Sequence, residues 1–363
     1  MSSLTVTLIL FSLLLLLLFL NVPLVVSIGL PTALIMLGSG MKVATLAQRT
    51  YASVDSFTLM AIPFFMLAGK LMEVGGMSKR IVRLADCLVG WMAGGLAHVI
   101  VVASAFFGAL SGSAAATTAA IGSTLIPEMK KRGYPADFVA GIQAVAGALG
   151  VIIPPSITMI MYGVCSSTSI GKLFMAGIVP GIVLALFLMV TIAYQAKKRK
   201  ISQMNTFTFK ELGAAFLDAI PALLVPTIIL GGIYGGIFTP TEAGAVAATY
   251  GFLAGAFWYK EINLQNIGNI MGGAIVNTVL VMIVVGASGA FSWLLTSAGV
   301  SSLLGKAISA IAGNKYIFLL VANLIFIFIG MFIESVAGIL IVTPILLPIA
   351  TSLGVDPVHF GII

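Results

Sequence analysis

FFGALSGSAAATTAAIGSTLIPEMKKRGYPADFVAGIQAVAGALGVIIPPS, running from Phe106 to Ser156, is the stretch from which the rest of the chain is read. It opens apolar, breaks at Ser111-Gly112-Ser113, and continues through small residues and Thr117-Thr118 to the basic cluster Lys130-Lys131-Arg132. A second apolar run then breaks at Pro154-Pro155-Ser156. Backbone at membrane depth must keep its N–H and C=O groups satisfied, so a break is tolerated only where protein buries it or it lines a cavity. Two breaks rich in Ser, Thr and Gly fit an ion or substrate site built from helix ends. They also fit a pair of kinked spans packed through small residues. The stretch alone leaves both readings open.

Composition sets the class. Sixty per cent of the residues are hydrophobic and only 8% charged, with a mean hydropathy of +1.18, far outside the range of a soluble domain. Apolar runs of spanning length recur throughout, which predicts an all-α polytopic membrane protein. The short alternating segments of a transmembrane barrel are absent. The net charge of +7 does not point to nucleic acid, because Lys and Arg lie in short clusters between apolar runs, the footprint of the positive-inside rule. Cys87 and Cys165 offer neither a disulfide framework nor metal-ligand spacing.

Taken in order, spans are expected at 4–20, 24–37 and 57–72, with 42–56 as an interfacial segment. Trp91 to about 128 is expected to form a re-entrant hairpin, since Ser-Gly-Ser makes a poor external loop. Ala136 to Val164 is expected to be a span divided into half-helices by the two prolines. The clusters Lys79/Arg80/Arg83, Lys130–Arg132 and Lys197–Lys200 are placed in the cytoplasm, and counting spans back from the first puts the N-terminus in the periplasm. Residues 201–219 read as a cytoplasmic linker between a first half, 1–200, and a second, 220–363.

The second half repeats the first. Gly76-Met-Ser-Lys aligns with Gly299-Val-Ser-Ser, and Gly108-Ala-Leu-Ser-Gly-Ser113 with Gly330-Met-Phe-Ile-Glu-Ser335. Pro127 and Gly133 align with Pro348 and Gly354, which places a second hairpin at about 316–350. An odd number of intervening spans makes the copies inverted, the sequence pointer to a secondary transporter. Pro154 shifted by the offset of roughly 221 residues falls beyond Ile363, so the second repeat reads as incomplete and the chain as a fragment of a longer one.

At these residues a family comes into view. IPFFMLAGKLMEVGGMSKRIV (62–82), SGSAAATTAAIGSTLIPEMKKRGY (111–134), GVIIPPSI (150–157) and FTPTEAGAVAA (238–248), in that order, resemble the large membrane (M) subunit, DctM-like, of tripartite ATP-independent periplasmic (TRAP) transporters. The resemblance implies an elevator-type transporter with two hairpins, driven by a sodium gradient. It implies a small membrane (Q) subunit and a periplasmic substrate-binding (P) protein as partners, and an organic acid such as a C4-dicarboxylate or sialic acid as substrate. It also implies the bacterial inner membrane as the location. Mapped onto this chain, Ser111, Gly112 and Ser113 fall at the first tip, Pro154, Pro155 and Ser156 at the following break, and Glu334, Ser335 and Gly338 around the second tip. Sodium-ligand candidates are Ser111, Ser113, Pro154 and Ser335, with Thr117 beside the first tip.

The chemistry suits that assignment independently. Sodium is a hard cation that takes oxygen ligands, and hydroxyls plus carbonyls freed by a broken helix supply them. Half-helix ends add dipoles of the needed sign toward a cation or a carboxylate. No GxxxxGK[ST] pattern occurs, so this chain carries no such ATP site. No HExxH pair or nucleophile–base constellation points to an enzyme. Stand-alone sodium-coupled carboxylate transport and a channel are the alternative readings. Glu334 is either a coupling carboxylate or a residue at the water-facing base of the hairpin. Glu242 is expected to cap a helix. His98 and His359 are expected to be packed and hydrogen-bonded, and Trp91, Trp258 and Trp293 to sit near span ends.

Overall fold

Helices account for the chain's regular structure among the described residues, which are 2–201, 207–300, 303, 314–331 and 333–363 of a computed structural model. The sequence also places a short helix from near Gly299; most of it, part of the expected linker (202–206), and Phe332 next to the second tip lie outside the described residues. Among the described residues, five helices are long and apolar enough to cross a membrane, or six if one bent pair counts as a single span. The protein is therefore polytopic, and all-helical among the described residues, as composition requires.

The helices fall into two compact units. The first holds 1–59, 161–169 and 276–363, and the second holds 60–160 and 170–275. These units cut across the two halves of the sequence, and each contains one of the two hairpins. A repeat is a relation between stretches of chain, whereas these units are defined by packing, so the two divisions describe different properties.

In the second unit, α4 (Ala61–Val74) packs along α13 (Pro240–Leu253). The motif TEAGAVAA explains why: Ala243, Gly244, Ala247, Ala248 and Gly251 form a buried stripe of small residues. A Cβ at Gly244 would stand 3.0 Å from Phe64 and one at Gly251 3.5 Å from Met72. Without side chains between them the helices approach closely and gain dispersion contacts, the usual driving force for helix pairing in lipid. Glu242 caps α13 as expected. Its carboxylate accepts from the Thr239 backbone N–H at 2.7 Å and Thr239 Oγ1 accepts from the Glu242 N–H at 3.3 Å, a reciprocal capping box.

Helix α5 (Met77–Val89) is amphipathic, and its apolar face rests on α12 (Phe209–Tyr234). Leu84 is buried against Ala215 and Ala219. Helix α12 thus begins at Phe209, inside the stretch expected to be linker (201–219). Polar residues there hid a helix whose small face is covered by α5, so tertiary packing overrode local polarity. The basic residues of α5 are paired as well. Glu261 accepts from Arg80 at 2.6 Å and Lys79 at 3.1 Å, Asp218 lies 3.5 Å from Arg83, and Arg80 covers the Tyr259 ring at 4.2 Å.

The first hairpin is made by α6 (Gly95–Ser111) and α7 (Ala114–Lys131), which pack on each other across the Gly112-Ser113 link. The broken span follows as α8 (Ala136–Gly147), α9 (Leu149–Ile152) and α10 (Ile157–Ser166), with a 47° bend at the prolines. Helix α11 (Ile170–Lys198) ends beside the start of α8, where Arg199 grips Asp137 at 2.8 Å. The Lys197–Lys200 run and the loop after Lys130–Arg132 therefore meet at one end of this unit.

In the first unit, α1 (Ser3–Phe19) and α2 (Leu24–Gly38) pair, and α3 (Val43–Val54) lies against the later part of α14 (Ile267–Ser297). The second hairpin pairs α15 (Lys315–Gly330) with α16 (Ser335–Ser352), and α17 (Pro357–Ile362) follows. Tyr162, in the second half of α10, donates from its hydroxyl to the Pro357 carbonyl at 2.6 Å.

Candidate functional site

The first tip and the proline break are one place in the second unit. Helix α6 ends where Gly112 takes φ +62, a left-handed conformation that glycine adopts without a Cβ penalty. Ser113 then starts α7, its side chain accepting from the Ala116 N–H at 3.4 Å. The Gly112 carbonyl accepts a hydrogen bond from the Ile157 N–H at 3.1 Å, joining the tip to the first turn of α10. A Cβ at Gly112 would lie 2.9 Å from the Pro155 carbonyl oxygen, so no other residue type fits without displacing the break.

Around this junction the oxygens cluster. Ser111 and Thr117 are buried, and their hydroxyls are 3.0 Å apart. Ser111 Oγ also donates toward the Ser113 carbonyl at 3.4 Å. Ser156, 1% exposed, donates to the Val151 carbonyl at 2.6 Å and lies 2.7 Å from the Thr158 hydroxyl. Gly150 sits where a side chain would strike Thr117 and the Ser113 carbonyl, so α9 presses directly on the tip. Pro154 and Pro155 are buried, and the bond between them is cis. Four helix ends converge here: the C-termini of α6 and α9 and the N-termini of α7 and α10. None of the site residues in this cluster is ionisable, so it offers neutral hydroxyl and carbonyl oxygens together with helix dipoles of both signs.

Thr158 and Gln143 were missed by the sequence reading. Gln143 is 2% exposed and donates from Nε2 to the Thr118 carbonyl at 3.2 Å, bracing α8 against α7. As the one amide in the apolar stretch 136–164 it was a detectable signal. Among the described residues no group of three His, Cys, Asp or Glu side chains is placed to hold a metal ion.

Glu334, Ser335 and Gly338 belong to the first unit. Glu334 is exposed and caps α16, its carboxylate accepting from the Val336 and Ala337 N–H groups at 2.9 and 3.4 Å. It sits at the link between the hairpin helices rather than at the base. Ser335 is exposed and Gly338 half-buried. The histidines correct the expectation made for them in part. His98 is packed as expected, fully buried in the first turn of α6, but neither ring nitrogen reaches good hydrogen-bond geometry among the described residues. His359 is exposed on the short α17, where its backbone N–H donates to Asp356 and its carbonyl accepts from the Ile363 N–H. Trp91 and Trp258 are exposed, while Trp293 lies half-buried under Arg49.

Comparison with known proteins supplies the context. The model of the family described as "Tripartite ATP-independent periplasmic transporter, DctM component" matches residues 8–363. The C4-dicarboxylate TRAP transporter large permease protein DctM of Pseudomonas aeruginosa is 43% identical over 338 residues, covering 93% of this chain and 79% of its own. The 2,3-diketo-L-gulonate TRAP transporter large permease protein YiaN of Escherichia coli is 39% identical over 346 residues, covering 93% and 81%. The isethionate TRAP transporter permease protein DctMQ of Oleidesulfovibrio alaskensis is 43% identical over 348 residues; this chain spans about half of it, 54%. With a family match over nearly its whole length and relatives of this similarity, the chain belongs to the DctM component family of TRAP transporters, a family of transporter permeases and not of enzymes.

Proposed function

We propose that this multi-pass inner-membrane permease imports organic acids by coupling their movement to sodium, receiving them from a periplasmic binding protein and working with a small membrane subunit. The carrying observation is the junction of the two breaks, where the Gly112 carbonyl meets the Ile157 N–H and the hydroxyls of Ser111, Thr117, Ser156 and Thr158 gather. In this reading a sodium ion takes its ligands from Ser111, Thr117 and the freed carbonyls of Pro154 and Pro155, with a remaining lone pair of the Ser113 carbonyl, aided by the negative dipole ends of α6 and α9. Ser335 and Gly338 at the second tip take the equivalent place in an inverted second copy, and Glu334 orders that tip by capping α16. Movement of the hairpins against the remaining helices would carry the site across the membrane. The relatives' names support organic anions as substrates, and the name DctMQ supports a permease joined with a small partner. The meeting of two basic clusters at one end of the second unit supports a cytoplasmic placement of both, with the N-terminus periplasmic.

The test is uptake by the permease reconstituted with its small subunit and binding protein in proteoliposomes. Accumulation should require an inward sodium gradient. Ser111→Ala and Thr117→Ala should each raise the sodium concentration for half-maximal uptake by about tenfold, the loss of roughly one oxygen ligand. Equal uptake with potassium in place of sodium would remove the coupling from the proposal.

A further inference from the structure

The first unit carries a cavity separate from the hairpin junction. It measures about 410 Å³ and lies among α3, α10, α14 and α16, within the size range of small-molecule sites. Two glycines build it. A side chain at Gly289 would run into Ser53, and a Cβ at Gly286 would stand 3.1 Å from Thr50, so α3 crosses α14 at very close range. That crossing sets Arg49, one turn before Ser53, over the Trp293 ring at 4.7 Å. No carboxylate lines the cavity among the described residues, so the guanidinium is its single charge.

The hydroxyls are arranged unevenly. Ser53 and Thr296 give their protons to their own helices, to the Arg49 carbonyl at 2.6 Å and the Ser292 carbonyl at 3.0 Å, and keep oxygen lone pairs for a guest. Ser288 differs: it is 1% exposed and its Oγ has no hydrogen-bond partner among the described residues. A buried hydroxyl left unpaired is costly, and here it lines the same cavity as the exposed Arg49 guanidinium.

We propose that this cavity is a binding site for a hydroxylated organic acid with one carboxylate. Arg49 holds the carboxylate through its fork of N–H donors, with Trp293 fixing the plane of the guanidinium. Ser288 pairs with the ligand, and Ser53 and Thr296 accept from ligand hydroxyls. The charge count selects the class: one cation matches one anion, and a second carboxylate would find no cationic partner among the lining residues. The inference stands on the cavity alone and holds whether or not sodium drives transport.

The experiment uses the purified full chain carrying Trp91→Phe and Trp258→Phe, which leaves Trp293 as the only indole. Sodium D-gluconate should change its emission saturably, with succinate at least about tenfold weaker and sulfate inert at equal ionic strength. Arg49→Gln should abolish the response, and Arg49→Lys should weaken it about tenfold by losing the fork. Ser288→Ala should weaken it up to about tenfold, yet raise the melting temperature without ligand, since an unpaired buried hydroxyl is removed. A purely structural Ser288 would lower that temperature instead. As a second readout, gluconate should slow maleimide labelling of Cys165, on the cavity wall, in Cys87→Ser protein. No saturable response in either assay, an equal response to sulfate, a preference for succinate, or a response only to anionic phospholipid vesicles would each overturn the proposal.

Discussion

Gly112 and Gly133 both sit at positive φ, +62 and +78, yet their surroundings differ. At Gly133 a Cβ would meet nothing within 4 Å, whereas at Gly112 it would meet the Pro155 carbonyl at 2.9 Å and the Ile157 nitrogen at 3.1 Å. Gly133→Ala should therefore cost about 1 kcal/mol, the left-handed strain alone. Gly112→Ala should cost roughly 1–3 kcal/mol more, because the tip and the proline break must part. Thermal unfolding of the two variants in one detergent measures the difference; equal losses would mean that the tip is not held against the break. The Ser-Gly-Ser and Pro-Pro-Ser breaks could be read directly from residue types. Their contact could not, because Gly112 and Ile157 are joined by a hydrogen bond that no local pattern encodes.

At the level of elements, α5 is held to its neighbours by charge as well as by packing. Glu261 is bonded to Arg80 and Lys79, with side chains 28%, 20% and 69% exposed. Burial alone would raise the Glu261 carboxyl, but the hydrogen bonds from Arg80 and Lys79 outweigh it and hold it below the ordinary glutamate value. A depressed carboxylate contributes stability above its unfolded pKa and loses it as the pH falls through the folded one. Glu261→Gln should thus destabilise the protein at neutral pH by about 1 kcal/mol, discounted for solvent exposure. The gap from the unsubstituted protein should close as the pH drops below the glutamate range. Melting curves across that range decide it, and a gap that widens toward acid would contradict the pairing. The cap at Glu242 was legible in the sequence. The start of α12 was not, because its polar first turns are helical through contact with α5.

Across the whole molecule, the basic clusters set the expected orientation. A reporter active only in the periplasm should be active when fused before α1, and one active only in the cytoplasm should be active when placed after Lys200. The opposite result at the N-terminus would overturn the count of spans and the re-entrant reading of the first hairpin with it. The sequence by itself determined the class of protein, since an apolar content this high admits burial only in lipid and backbone satisfaction there demands helices. It also determined where those helices break, because Gly and Pro act on the chain through their own backbone geometry, and it carried the family motifs. Only the tertiary structure decided which breaks meet and how the helices sort into two compact units. It alone set Arg49 of α3 and Trp293 and Ser288 of α14 around one cavity. The physical reason is the same in each case: lipid gives helices no hydrophobic reason to prefer one partner over another. Their pairing is settled by close contact between small residues far apart in the chain, such as Ser53 and Gly289.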